Sequence, residues 1–417
     1  MNLFLAVILA SLIGVYLLHL TARRLNAAAL SPDLPPEFAD MTDAKKYARS
    51  QEYARANMRF QNVSETVSLL LVLGFILLGG FNALDLAVRS LGMGPLATGL
   101  AFCGALALFS SITDLPLDIY HTFVLEKRFG FNTTTAATFV ADRIKGLVLG
   151  AVLGGVLLTA ILWFLRVAGQ QAWLWCWGFA VAFSLLLTYI GPQWLLPIFN
   201  RFTPLESGEL RTAIEQYAHG QNFALSGIFV MDGSKRSTKA NAFFTGFGRT
   251  RRIALFDTLM KRHDTDEIVG VLAHEVGHAK LGHIKKRLLA SILQTGLLFY
   301  FMSLFLDNHA LFDAFGMQHV SHHAGLVFLA LLYTPVSLCL SLAANAMSRK
   351  HEFQADAFAA QTTGDPHALA RALKRLSVDS LSNLTPHPLT VWLGHGHPPV
   401  LQRIRRLESM GAADSPD

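Results

Sequence analysis

Charge is scarce in this chain. Only 15% of its 417 residues are Asp, Glu, Lys or Arg, whereas 52% are hydrophobic, and the mean hydropathy is +0.39. Soluble domains carry about a quarter of charged residues, so an ordinary soluble domain is excluded and the chain reads as a membrane protein. Cysteine is nearly absent: Cys103, Cys176 and Cys339 lie singly in apolar runs. Without a C-x-x-C pair, neither a disulfide framework nor a thiolate metal site is indicated. No basic residue precedes the first apolar run, as one would before a cleaved secretory leader, so that run reads as a retained span.

Apolar runs near 3–21, 64–84, 95–113, 147–168, 173–193, 287–306 and 323–346 each approach the roughly 20 residues that cross a bilayer, which predicts seven spans. Asp114, Pro116 and Asp118 blur the end of the third. The positive-inside rule places Arg23 and Arg24 in the cytoplasm, with the amino terminus outside. Loops on the inner side then carry most of the Lys and Arg, those on the outer side carry only Arg89 and Arg166, and 307–322 carries none. The expected layout is five spans in 1–193, a cytoplasmic part in 194–286, a membrane hairpin in 287–346 and a second cytoplasmic part in 347–417. The net charge of +6 and pI near 9.3 follow from the inner loops, which favour anionic lipid. Nothing calls for nucleic acid.

Chemistry concentrates in His274-Glu275-Val276-Gly277-His278. On a helix, positions four apart differ by about 40°, so His274 and His278 address one metal ion. Glu275 between them can take a proton from an activated water as general base, the pattern of a hydrolytic zinc site. Asp264, Asp266 and Glu267 place negative charge at the start of this helix, and Gly277 suits close approach by other backbone or by substrate. A third ligand is needed. Leu281 and Ile284 stand where a metzincin needs Gly and His, which excludes that class. His283, about 900° along the helix from His274, falls on its opposite face and reads as a polar surface histidine. Glu352 and Asp356 share a helix face: the first can bind the metal while the second accepts a ligand histidine's free N–H. Such an acidic pair alone is most often a solvated face. The topology favours the ligand reading, because the hairpin after His278 returns Glu352 to the same side.

Among the soluble parts, 209–217 predicts an amphipathic helix, and runs at 226–232, 240–247 and 251–258 predict a small sheet, with a turn at Gly246-Phe247-Gly248-Arg249. Asn241-Ala242-Phe243-Phe244 would offer an edge strand to an extended peptide. His387, His395 and His397 lie in a Pro- and Gly-rich segment without regular ligand spacing, which argues against a second zinc site.

These motifs, with Glu126-Lys127-Arg128-Phe129-Gly130-Phe131-Asn132, Phe199-Asn200-Arg201-Phe202-Thr203-Pro204-Leu205, Glu352-Phe353-Gln354-Ala355-Asp356 and His397-Pro398-Pro399, together resemble the zinc-dependent type I CAAX prenyl proteases. The resemblance implies a mainly helical barrel of seven transmembrane helices around a chamber, with a small β-sheet and one zinc ion at the cytoplasmic end. It assigns His274, His278 and Glu352 to zinc and Glu275 to catalysis. Asn241, with Ala242 and Phe243 beside it, and His397 would hold the peptide backbone or the oxyanion. Arg403 would support the site or the substrate carboxylate. The implied substrate is a peptide or protein, prenylated at cysteine, that loses its last three residues. Polar residues Gln294, Ser303, Thr334, Ser341 and Asn345 are candidates to line the chamber or, equally, to serve as helix contacts. Short outer loops and a compact tail lacking a retention signal lean towards a bacterial inner membrane. Two other functions stand beside this one: a quality-control membrane zinc protease, disfavoured by seven spans, and a noncatalytic zinc scaffold or transporter, disfavoured by Glu275. A site-two-type protease is excluded, since Lys280, Lys285 and Lys286 follow the motif and no Leu-Asp-Gly segment exists.

Overall fold

The computed structural model describes residues 2–246 and 251–413. Six helices are long and apolar enough to cross a bilayer: Leu3–Ala28, Ala44–Leu77, Pro95–Glu126, Ala136–Val167, Gly169–Phe199 and His283–Phe305. A seventh forms if His322–Leu332 and Thr334–Thr363 count as one span bent by 54°. The bend falls where Pro335, lacking an N–H, opens the second helix.

The expected spans are present, but their ends differ. The second helix begins at Ala44, far ahead of its apolar run, and ends at Leu77 rather than 84. There Gly79, at φ 72°, turns the chain into the short helix Gly80–Arg89. The third is not interrupted at Asp114–Asp118, because Ser110 donates to Asp114 (3.1 Å), and Arg143 pairs with Asp118 (2.8 Å). Its helix runs on to Tyr120 and loosens only at His121–Glu126.

The first span packs on the second, the third on the fourth, the fourth on the fifth and the fifth on the sixth. Gly80–Arg89 links the second to the third, while His322–Leu332 touches the first, third, fourth and sixth and closes the ring. At that closed end Phe81, Phe102, Phe299, Phe312, Phe315 and Phe328 are buried together. Long stretches of the walls are left open. No residue is buried in 103–124, 136–161, 177–199 or 284–298. Helices of a solid bundle bury an inward stripe, so this pattern describes a hollow ring. Among the candidate lining residues, Ser303, Thr334 and Ser341 donate to carbonyls of their own segments, and Asn345 donates to Leu393.

At the other end lies a four-stranded sheet: β1 Phe202–Pro204, β2 Gly227–Met231, β3 Ala242–Thr245 and β4 Arg252–Phe256, in the order β1-β2-β4-β3. β2 and β4 are parallel, β3 and β4 antiparallel, and β3 is an edge strand. β1 was not expected, being three residues long and ending in proline. Gly246, at φ 82°, begins the expected turn, and Phe247–Arg249 lie outside the described residues. Ile253 and Leu255 of the sheet pack on Ile268, Leu272 and Val276 of helix Thr265–Lys280, with Ile214 and Ala218 of helix Glu209–Gly220 in the same core.

Candidate metal centre

Helix Thr265–Lys280 begins at Asp264, whose side chain and that of Glu267 cap it reciprocally. Glu267 is fully buried, with His263 Nδ1 and Arg375 Nη2 at 2.9 and 3.2 Å from its oxygens. Burial pushes the His263 imidazole down to about 4. The helix crosses Thr334–Thr363 at Gly277, where an added Cβ would lie 3.2 Å from Ala355 Cα and carbonyl oxygen. This small residue lets the helices that carry His274, His278 and Glu352 meet.

His274 Nε2 and His278 Nε2 are 3.1 Å apart, and the Glu352 oxygens lie 3.4 and 3.2 Å from them. Donors held at about 2.05 Å from one ion in tetrahedral geometry are about 3.3 Å apart. Among the described residues these three form the one such ligand group, and all are buried. Glu352 Oε2 is buried and receives no well-aligned hydrogen bond, although His397 Nδ1 is 2.7 Å away. Two imidazole nitrogens and a carboxylate this close, with an unsatisfied oxygen, fit a divalent cation.

Each histidine is oriented from behind. His274 Nδ1 donates to Asp356 Oδ1 (2.8 Å). Asp356 also accepts two hydrogen bonds from Arg403, at 2.8 and 2.7 Å. The Arg403 guanidinium is buried against Asp356, with Nη1 3.4 Å from Glu352 Oε2, a position that supports the site. His278 Nδ1–H donates to His283 Nδ1 (3.1 Å), whose Nε2–H donates to Gln354 Oε1 (3.0 Å). His283 is fully buried and stacks on His351 at 4.0 Å. The surface role expected for it is therefore wrong. The first helix ends at Lys280 and Gly282, at φ 69°, starts another, so extrapolating one helix past Gly282 put His283 on the wrong face.

Glu275 lines a cavity of about 310 Å³ with His278, Phe223, Phe244, Thr245 and Arg287. The cavity thus joins the cluster to the β3 edge. Asn241 precedes that strand, its Oδ1 accepting from the Ala242 amide (2.8 Å), and Ala242 and Phe243 pair with Leu255 and Ala254. The approach to β3 is fixed by the Glu126–Asn132 segment: Lys239 pairs with Glu126 (2.9 Å), and Thr238 N–H donates to the Phe131 carbonyl (3.0 Å). His397 is exposed beside Glu352, whereas His387 Nδ1 accepts from the Leu389 amide (3.2 Å) at a helix start.

Two family models match: CAAX prenyl protease N-terminal, five membrane helices, over residues 24–201, and peptidase family M48 over 204–411. The chain is 35% identical to a CAAX prenyl protease 1 homolog of Arabidopsis thaliana, with 97% of each covered. Against CAAX prenyl protease 1 of Saccharomyces cerevisiae it is 34% identical, with 90% of this chain and 88% of the relative covered. The crystal structure of S. mikatae Ste24p superposes with a TM-score of 0.93 at 33% identity, covering 97% of this chain and 99% of that one. Such relatives are eukaryotic and give the bacterial inner membrane no support. The full-length likeness, with the His274, His278 and Glu352 cluster in place, identifies the chain as a member of peptidase family M48, a multi-pass membrane metalloprotease of the CAAX prenyl protease 1 group.

Proposed function

We propose that this protein binds one zinc ion per chain through His274, His278 and Glu352 and hydrolyses the peptide bond after a prenylated cysteine, releasing a carboxyl-terminal tripeptide. The observation that carries this reading is the 3.1–3.4 Å ligand triangle opening beside Glu275 onto the β3 edge. Zinc would supply Lewis acidity and water activation there. Glu275 removes the proton of the attacking water and returns it to the leaving amine. An extended peptide pairs with the free edge at Asn241, Ala242 and Phe243, which fixes its scissile carbonyl beside Glu275. His397, exposed at the cluster, donates to the oxygen on which charge develops. Asp356 and Arg403 hold His274 in its tautomer.

The hollow ring supports a lipidated substrate. An isoprenoid loses about 0.8 kcal/mol per CH2 on leaving an apolar medium, so it stays among the walls while the peptide enters the polar end. The basic inner loops support a cytoplasmic site, with spans in 1–193 and 287–346 and soluble parts in 194–286 and 347–417. The test compares wild type with Glu275→Gln on a farnesylated CAAX peptide and its unlipidated twin. Cleavage by wild type alone, faster with the lipid and lowered at least about 10³-fold in the variant, is expected. Equal rates on both peptides would remove the prenyl specificity, and an active variant would remove Glu275 as base.

A further inference from the structure

The end of the spans remote from His274 carries only two residues of type Lys or Arg, Arg89 and Arg166. They come from helices far apart in sequence, Gly80–Arg89 and Ala136–Val167, yet both line one cavity of about 390 Å³. His322 and His323 line it too. Asp85, fully buried, holds two of these groups in place: it accepts from Arg89 Nε at 2.6 Å, and His323 Nε2 is 2.7 Å from its other oxygen. Arg166 has no ion-pair or hydrogen-bond partner among the described residues, so one cationic group is left uncompensated in a built pocket.

Two helix starts face the same space. Pro95 and Ser321, at the beginnings of Pro95–Glu126 and His322–Leu332, line the cavity, and neither helix has a side-chain cap. Their free N–H groups add positive potential. The Ser321 hydroxyl is buried and has no partner. Met93, Leu96, Leu162 and Val320 supply an apolar wall. A polar anion with an apolar continuation matches that lining.

We propose that this cavity binds a phosphate-bearing anion through Arg166 and Arg89, with a phospholipid headgroup as the source its apolar wall favours. Arginine pairs with phosphate through two parallel N–H donors, and basic pockets between spans recognise lipid headgroups in this way. The site lies at the far end of the ring from Glu275 and belongs to neither the ligand cluster nor the peptide path.

Purified full-length protein in a nonionic detergent would be titrated with phosphatidylglycerol, with diacylglycerol of the same chains and with inorganic phosphate, reading bound molecules by native mass spectrometry and calorimetry. Wild type is expected to bind one phosphatidylglycerol, with affinity lowered at least about 10-fold in Arg166→Gln, an exposed position where the fold is retained, as a thermal melt checks. Phosphate binding that is also lost in the variant shows that the phosphate group suffices. Loss for the lipid alone shows that headgroup and chains are read together, and loss for phosphate alone assigns the cavity to a soluble anion. Equal affinities of wild type and Arg166→Gln for both probes, or diacylglycerol binding as tightly as phosphatidylglycerol, would overturn the proposal.

Discussion

The walls of the ring and helix Thr265–Lys280 are both helical and apolar, yet they solve different problems. Nine of the sixteen residues of Thr265–Lys280 are buried, including both histidines, and His274 and His278 are each held from behind by a hydrogen-bonding partner. The wall segments 136–161 and 177–199 bury none. Packing density follows the precision each part needs: two imidazoles and a carboxylate must meet within tenths of an ångström, whereas a wall only has to span and enclose. Substitution should therefore hurt one region far more than the other.

Gly277→Val should give the largest stability loss, about 3 kcal/mol, because the new methyls meet Ala355 backbone and Phe358 and separate the ligand helices. Denaturant unfolding in detergent would measure it, and a loss below about 0.5 kcal/mol would break the comparison. His283→Phe preserves the stack on His351 but cannot accept from His278, so metal affinity should fall about 10–100-fold with the melting temperature nearly kept. Chelator competition reads this directly, and His283→Asn, which retains an acceptor, should recover part of the loss.

A smaller effect concerns acid. His263 is held neutral in the folded state, with its ring pushed to about 4 against an unfolded value near 6.5. Its contribution is present above pH 6.5 and lost as the pH falls towards 4. The melting temperature of wild type should drop over that window more steeply than that of His263→Gln, while Glu267 and Arg375 act in both proteins. Least affected should be the wall: Val148→Ala, at a side chain 59% exposed, is expected within about 0.5 kcal/mol of wild type.

Much of this was legible in the sequence for specific reasons. The four-residue spacings of His274 with His278 and of Glu352 with Asp356 survive any uncertainty about helix ends, and the membrane hairpin between them required only a count of spans. Gly277 signalled a close approach, by backbone or by substrate. The rest depended on features that periodicity does not carry. Gly282 was the visible sign that His283 starts a new helix, and was not used. Arg403 could be placed near the site but not behind it, since burial against Asp356 is a tertiary fact. The polar turns at 44–62 hid the true start of the second helix, because hydropathy marks the bilayer rather than the helix. β1 is too short for any pattern to register.

The most direct test of the ligand assignment is metal content and affinity in wild type, Glu275→Gln and Glu352→Gln, measured on the same purified preparations. The account predicts one zinc ion per chain in wild type and Glu275→Gln with similar affinity, and at least about 100-fold weaker binding in Glu352→Gln. Unchanged zinc binding in Glu352→Gln, or zinc lost from Glu275→Gln, would contradict it.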